Sequence, residues 1–163
     1  MPRTVCLMAF SYEREEKGEK NQHNFSLTKE TENVYRRFLF DNREENSLRL
    51  IVVAQKEIAN NLEKQGLDVD TPIGWTVTPD EKLTTTKLMN QALAFIKNSP
   101  TKEVIVVAPF WRKRAFQRLA KKAGLIPIRI KIKRIGLWPS PPNWWRNSFV
   151  RLLFRSLTSP FRD

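Results

Sequence analysis

A chain of 163 residues with 40% apolar and 28% charged residues is long enough to bury a core and too apolar to stay disordered. Its single cysteine, Cys6, excludes a disulfide framework and a cysteine-based zinc cluster, and its single histidine, His23, argues against a His-ligated metal site or a Ser-His-Asp triad. The net charge of +12 lies almost wholly in the last third, because residues 1–100 hold 14 Lys/Arg and 15 Asp/Glu while residues 101–163 hold 15 and 2.

Residues 4–10 (TVCLMAF) form a short continuous apolar run, the pattern of a strand covered on both faces. Residues 11–26 are charged and carry Gly18, Asn21 and Asn24, which predicts a long exposed loop with His23 at the surface. Ser26 with Lys29 and Glu30 resembles a capping box, and Val34, Phe38 and Leu39 at helical spacing extend a helix to about Asp41. Residues 47–55 (SLRLIVVAQ) read as a second buried strand. A helix over 56–65 follows directly, with Ile58, Ala59 and Leu62 inward and Gly66 as its stop.

Two prolines and a glycine predict irregular structure over 68–79, with a short extended piece at 75–77. Residues 84–98 place Leu88, Ala92, Phe95 and Ile96 on one face of a helix. A third buried strand over 104–109 (VIVVAP) leads into a helix over 111–123 that stops at Gly124. Residues 126–132 alternate Ile126, Ile128, Ile130 and Ile132 against Pro127, Arg129 and Lys131, the pattern of a half-exposed strand at a sheet edge. Residues 1–135 are expected to form one domain. Residues 136–163 form a basic aromatic C-terminal segment whose helix over 144–157 fits packing on that domain or lying in a membrane interface. Strands alternating with helices imply an α/β fold, a Rossmann-like three-layer sandwich with a mostly parallel sheet.

In such folds ligands lie beyond the carboxyl ends of the strands, near the point where strand order reverses. The most suggestive junction is 104–114 (VIVVAPFWRKR), where a buried strand enters a helix whose first turn carries Trp111, Arg112, Lys113 and Arg114. Exposed backbone N–H groups, the positive end of the helix dipole and three cations together suit an anion. The alternative is an arginine that snorkels at the helix end or pairs with an internal carboxylate. Thr84, Thr85 and Thr86 fit either a phosphate contact or a plain helix cap. Gln55 and Lys56, at the end of the second strand, would face the same crevice. Arg146 falls inside the apolar arc of the last helix, where a charge needs a carboxylate or a ligand. Cys6, inside an apolar strand, reads as a small buried hydrophobe.

The order of elements resembles the YdcF/SanA/ElyC-like family of bacterial envelope-associated proteins. The overlap is clearest over 84–124, a threonine-led helix, a hydrophobic strand and a helix with Arg114-Ala115 that ends in Ala123-Gly124; Trp145-Arg146 is similar to the aromatic-Arg pair near that family's end. The resemblance implies a nucleotide-like or phosphate-bearing ligand and a role in envelope metabolism. Where that family has a glycine-rich turn after its first strand, this chain has Ala9-Phe10-Ser11, and where it has Ser-Gly-Gly after the second, this chain has Ala54-Gln55-Lys56. Larger residues at both turns should reshape or close the pocket.

The reading that results is a diverged protein of this type, cytoplasmic or peripheral at a membrane. It is expected to bind an anionic small molecule (phosphate, nucleotide or one like S-adenosylmethionine) through Gln55, Lys56, Thr84, Thr85, Thr86, Trp111, Arg112, Arg114 and Arg146, with no metal. No residue stands out as a nucleophile, so enzymatic activity and cofactor stay open. The alternative is a non-enzymatic module that docks on an acidic membrane or on nucleic acid through its basic last third.

Overall fold

The first strand, β1 (Thr4–Ala9), is buried along its whole length, and its six residues explain why. Val5, Leu7 and Ala9 point to one side of the sheet, and Cys6 and Met8 point to the other. A strand apolar on both faces must lie in the middle of a sheet with helices above and below. The computed structural model describes residues 3–11, 22–45, 47–73 and 84–131.

After β1 come α1 (Gln22–Asp41), β2 (Arg49–Gln55), α2 (Lys56–Lys64), β3 (Thr71–Ile73), α3 (Thr85–Ile96), β4 (Glu103–Val107), α4 (Phe110–Lys122) and β5 (Ile126–Pro127). The five strands are all parallel in the order β3-β2-β1-β4-β5. The chain therefore winds outward from β1 in one direction, then returns across the sheet to place β4 on the other side of β1. This is the Rossmann-like sandwich expected from the sequence.

The two faces have separate cores. On the first, Leu27, Val34 and Phe38 of α1 and Ile58, Ala59 and Leu62 of α2 cover Val5, Leu7, Val52, Ile105 and Val107. On the second, Leu88, Met89, Ala92 and Ile96 of α3 and Phe116 and Ala120 of α4 cover Cys6, Met8, Val53, Val104 and Val106. Each large side chain buried in this way stabilises by roughly 1.5–3 kcal/mol. At the amino end of the sheet Arg3 ties three segments together: its Nε and Nη2 bond Glu103 at 2.6 and 3.2 Å, and its Nη1 bonds Glu45 at 3.0 Å.

Several local expectations need correction. α1 begins at Gln22, so His23 and Asn24 are helical and Ser26 lies inside the helix instead of capping it. Burial decides the matter: Asn24, Leu27, Thr28 and Thr31 are all closed off from solvent, and the threonine hydroxyls turn back to Asn24 O (2.9 Å) and Leu27 O (2.7 Å). Residues 71–73 form an edge strand where irregular chain was expected; Pro72 fits there because an edge tolerates a missing donor. Asp70 extends that pairing, its carboxylate accepting the Val52 N–H at 2.6 Å.

Phe95 is 42% exposed, and Met89 takes the inward place on α3. The isoleucine alternation also fails at its first member. Ile126 is 61% exposed, β5 is two residues long, and only Ile128 and Ile130 pack on the first core. The extended piece at 75–77, Ile132, Arg146 and the segment 136–163 lie outside the described residues.

Candidate functional site

Because the strands are parallel and each helix runs back, the first turns of all four helices lie at the carboxyl end of the sheet. Strand order reverses between β1 and β4, so the residues that matter most are those leaving these two strands. Phe10 follows β1, donates its N–H to Val107 O at 2.9 Å, and is fully buried. Its ring stacks on Phe116 of α4 with centroids 3.6 Å apart and planes 9° from parallel. The turn after β1 is thus filled by an aromatic pair.

The next residue, Ser11, is latched to β2 and α2. Its N–H donates to Gln55 Oε1 at 3.0 Å, and its hydroxyl donates to Glu57 Oε2 at 3.4 Å. All three residues are buried. Gln55 is the N-cap residue of α2, yet its side chain reaches sideways to Ser11 and does not cap the helix. Sequence reasoning selected Gln55 as a ligand contact and missed Ser11 and Glu57. Nothing local marks a partnership across 44–46 residues; the one available signal was a polar residue directly after a buried strand.

α4 opens on Pro109, which contributes no side-chain cap, and its first turn holds no acid. Pro109 O accepts the N–H groups of Arg112 (2.9 Å) and Lys113 (3.0 Å). The Arg112 guanidinium lies over the Trp111 ring, 4.6 Å from its centroid, and its Nε is buried. Trp111 in turn packs on the first core. The cation–π contact and this packing hold the charged group at the carboxyl end of the sheet. Burial lowers the Lys113 pKa from its ordinary value, opposed by the charge of Glu30. Arg114 points outward and is exposed. It belongs to the outer face of α4, not with Arg112.

Thr84 is the N-cap of α3 and accepts the Lys87 N–H at 3.2 Å. The cap reading therefore holds for Thr84, while Thr85 is half-buried and Thr86 exposed. Lys56 is half-buried at the first position of α2. The link between these residues and Arg112 is topological: all lie at the same end of the sheet.

Cys6 lies far along β1 from this end, and burial, with a smaller push from the charge of Asp70, raises its pKa from 9.0 to about 12. It is a core residue and no nucleophile. A shallow depression of about 440 Å³, lined by Leu93, Lys97, Thr101 and Leu125 among others, lies at the opposite, amino end of the sheet. Among the described residues no group of three His, Cys, Asp or Glu is placed to hold a metal, and no helix is long and apolar enough to cross a membrane. No family model and no curated protein matches the chain.

Proposed function

We propose that the carboxyl end of the sheet binds a small anionic ligand that carries a phosphate group. The observation that carries this reading is the opening of α4: a first turn with no acid, Arg112 and Lys113 within it, and a guanidinium held over Trp111. Cations at a helix N-terminus oppose the dipole, so an anion there relieves both the dipole and the side-chain charge. α3 likewise has no acid in its first turn, and Lys56 opens α2.

The filled turn supports a small ligand over a dinucleotide. An open doubly wound fold takes a pyrophosphate against the turn after its first strand. Here Phe10 occupies that turn and Gln55 consumes the Ser11 N–H. The ligand instead sits outward of the aromatic pair, against the first turns of α2 and α4. The resemblance to the YdcF-like family agrees in ligand chemistry. The role of the protein is then capture of that ligand, with arginine neutralising its charge.

Thermal unfolding against inorganic phosphate, nucleoside mono- and diphosphates, sugar phosphates and S-adenosylmethionine tests this. A ligand at about 100 times its Kd adds about 2.7 kcal/mol, a shift of several degrees for a domain of this size. The shift should appear with at least one phosphate-bearing compound and vanish in Arg112→Ala. A wild-type protein indifferent to the whole panel would end the proposal.

A further inference from the structure

The layer formed by α3 and α4 differs in charge from everything else described. Residues 84–131 contain eleven Lys/Arg and one Asp/Glu, and that one acid, Glu103, is bound to Arg3 at the amino end of the sheet. α4 alone carries Arg112, Lys113, Arg114, Arg118, Lys121 and Lys122 with no acid. Its outer stripe of Arg114, Arg118, Lys121 and Lys122 follows the i, i+4, i+7, i+8 spacing of one helix face, and all four are exposed. Like charges at that spacing repel, and an anion laid along the stripe offsets that repulsion.

We infer that this outer stripe of α4 is a docking surface for the phosphate backbone of a nucleic acid duplex, bound by charge without sequence reading. The stripe spans nine residues, Arg114 to Lys122, about 12 Å of helix. Over that length one strand of a duplex presents three or four phosphates at about 3.4 Å of axis per step.

Two features of the same helix separate this partner from other polyanions. A membrane-surface helix buries an apolar arc in the lipid opposite its cations. The apolar arc of α4, Phe116 and Ala120, is spent on the sheet. Among the described residues of this layer the large exposed apolar side chains are Phe95 and Ile126, on α3 and β5, outside the stripe. A single-strand binder stacks bases on aromatic rings, and the stripe offers none. What it offers is a row of cations on a rigid rod, which matches a regular phosphate ladder.

The test uses the full chain, wild type and an R118Q/K121Q/K122Q variant. Those three residues lie outside the proposed ligand site, and glutamine preserves helix propensity. Circular dichroism establishes that the variant is folded. Fluorescence anisotropy with a labelled 20-base-pair duplex, from about 50 to 200 mM salt, gives log K against log salt. The variant should bind at least about tenfold more weakly at low salt, with a slope shallower by about 2.7, since each phosphate contact contributes about 0.9.

Equal affinity and slope for the two proteins would overturn the proposal, because binding would then come from elsewhere in the basic last third. So would a wild-type protein that ignores the duplex and binds phosphatidylserine vesicles, which would assign the charge to a membrane. Arg112→Ala should leave duplex binding within about threefold, so the crevice and the stripe fail or succeed separately.

Discussion

The two helical layers of this sandwich cover the same sheet and have opposite designs. The α1/α2 layer, residues 22–73, holds seven Lys/Arg and nine Asp/Glu, and its charges meet one another: Arg36 bonds Glu32 at 2.8 Å and Arg37 faces Asp41 at 3.6 Å. It also buries polar side chains, among them Asn24, Thr28, Thr31 and Glu57. The α3/α4 layer buries almost nothing polar and exposes nine of its eleven cations, Arg112 and Lys113 being half-buried. Charge that is balanced within a layer serves solubility and a little stability. Charge left in excess on one layer is available to a partner.

The comparison is most directly attacked in the second core. Phe116→Ala removes the stacked ring beneath α4 and should cost about 3–5 kcal/mol by urea unfolding. A cost under about 1 kcal/mol would mean that the second layer is loosely held and that its apolar interior is no counterpart to the first.

Cys6 gives a pH-dependent reading of the same core. Its thiol ionises near 9.0 when unfolded and only near 12 when folded, so above pH 9 the folded state holds the extra proton. Stability from this group is complete below pH 9 and is lost as pH rises towards 12. Wild type should therefore lose more stability than Cys6→Ala over that window. Parallel curves would show that the thiol meets solvent in the native state. Thiol labelling of the native protein at pH 8 should be correspondingly slow and should accelerate on unfolding.

The first layer is probed through its latch. Gln55→Ala leaves the buried Ser11 N–H without its acceptor and should cost about 1–3 kcal/mol. If that change is neutral, the polar contacts beside β1 are ornaments of the turn. Smaller still is the cap of α3. Thr84→Ala should cost about 1 kcal/mol, and Thr84→Ser should restore most of it. At the bottom of the scale, Arg118→Gln should change stability by less than about 0.5 kcal/mol while weakening duplex binding. A large loss of stability there would mark the stripe as structural.

The parallel strands and their helices were legible because each is a long run of one period. β1, β2 and β4 are continuous apolar segments, and α2 places Ile58, Ala59 and Leu62 on one arc before Gly66, which takes φ +76°. Short or tertiary-dependent elements were not legible. Thr71-Pro72-Ile73 is too brief to show alternation and becomes a strand only because β2 supplies an edge. The first turn of α1 is polar, and its helical state depends on the burial of Asn24 and Leu27 against the sheet.

The site divides along the same line. Arg112 and the opening of α4 could be read locally, as a strand running into a cationic turn. The Ser11–Gln55–Glu57 latch joins two strand ends and could be seen only once β1 and β2 were paired in register. Arg114, placed with Arg112 by sequence adjacency, faces outward because a helix turns by 100° per residue.

The position of β1 also has a consequence for how the protein is made. Of the five strands the central one is made first, and its β4 neighbour, beginning at Glu103, is about a hundred residues downstream. At translation rates of about 5–20 residues per second, that side of β1 stays without its partner for roughly 5–20 seconds. Throughout that interval the nascent chain carries an apolar six-residue edge with open backbone donors and acceptors, the kind of segment that pairs with other chains. The most secure strand of the finished fold is therefore its most exposed hazard during synthesis, and a chaperone that shields Thr4–Ala9 should raise the yield of folded protein more than one acting after release.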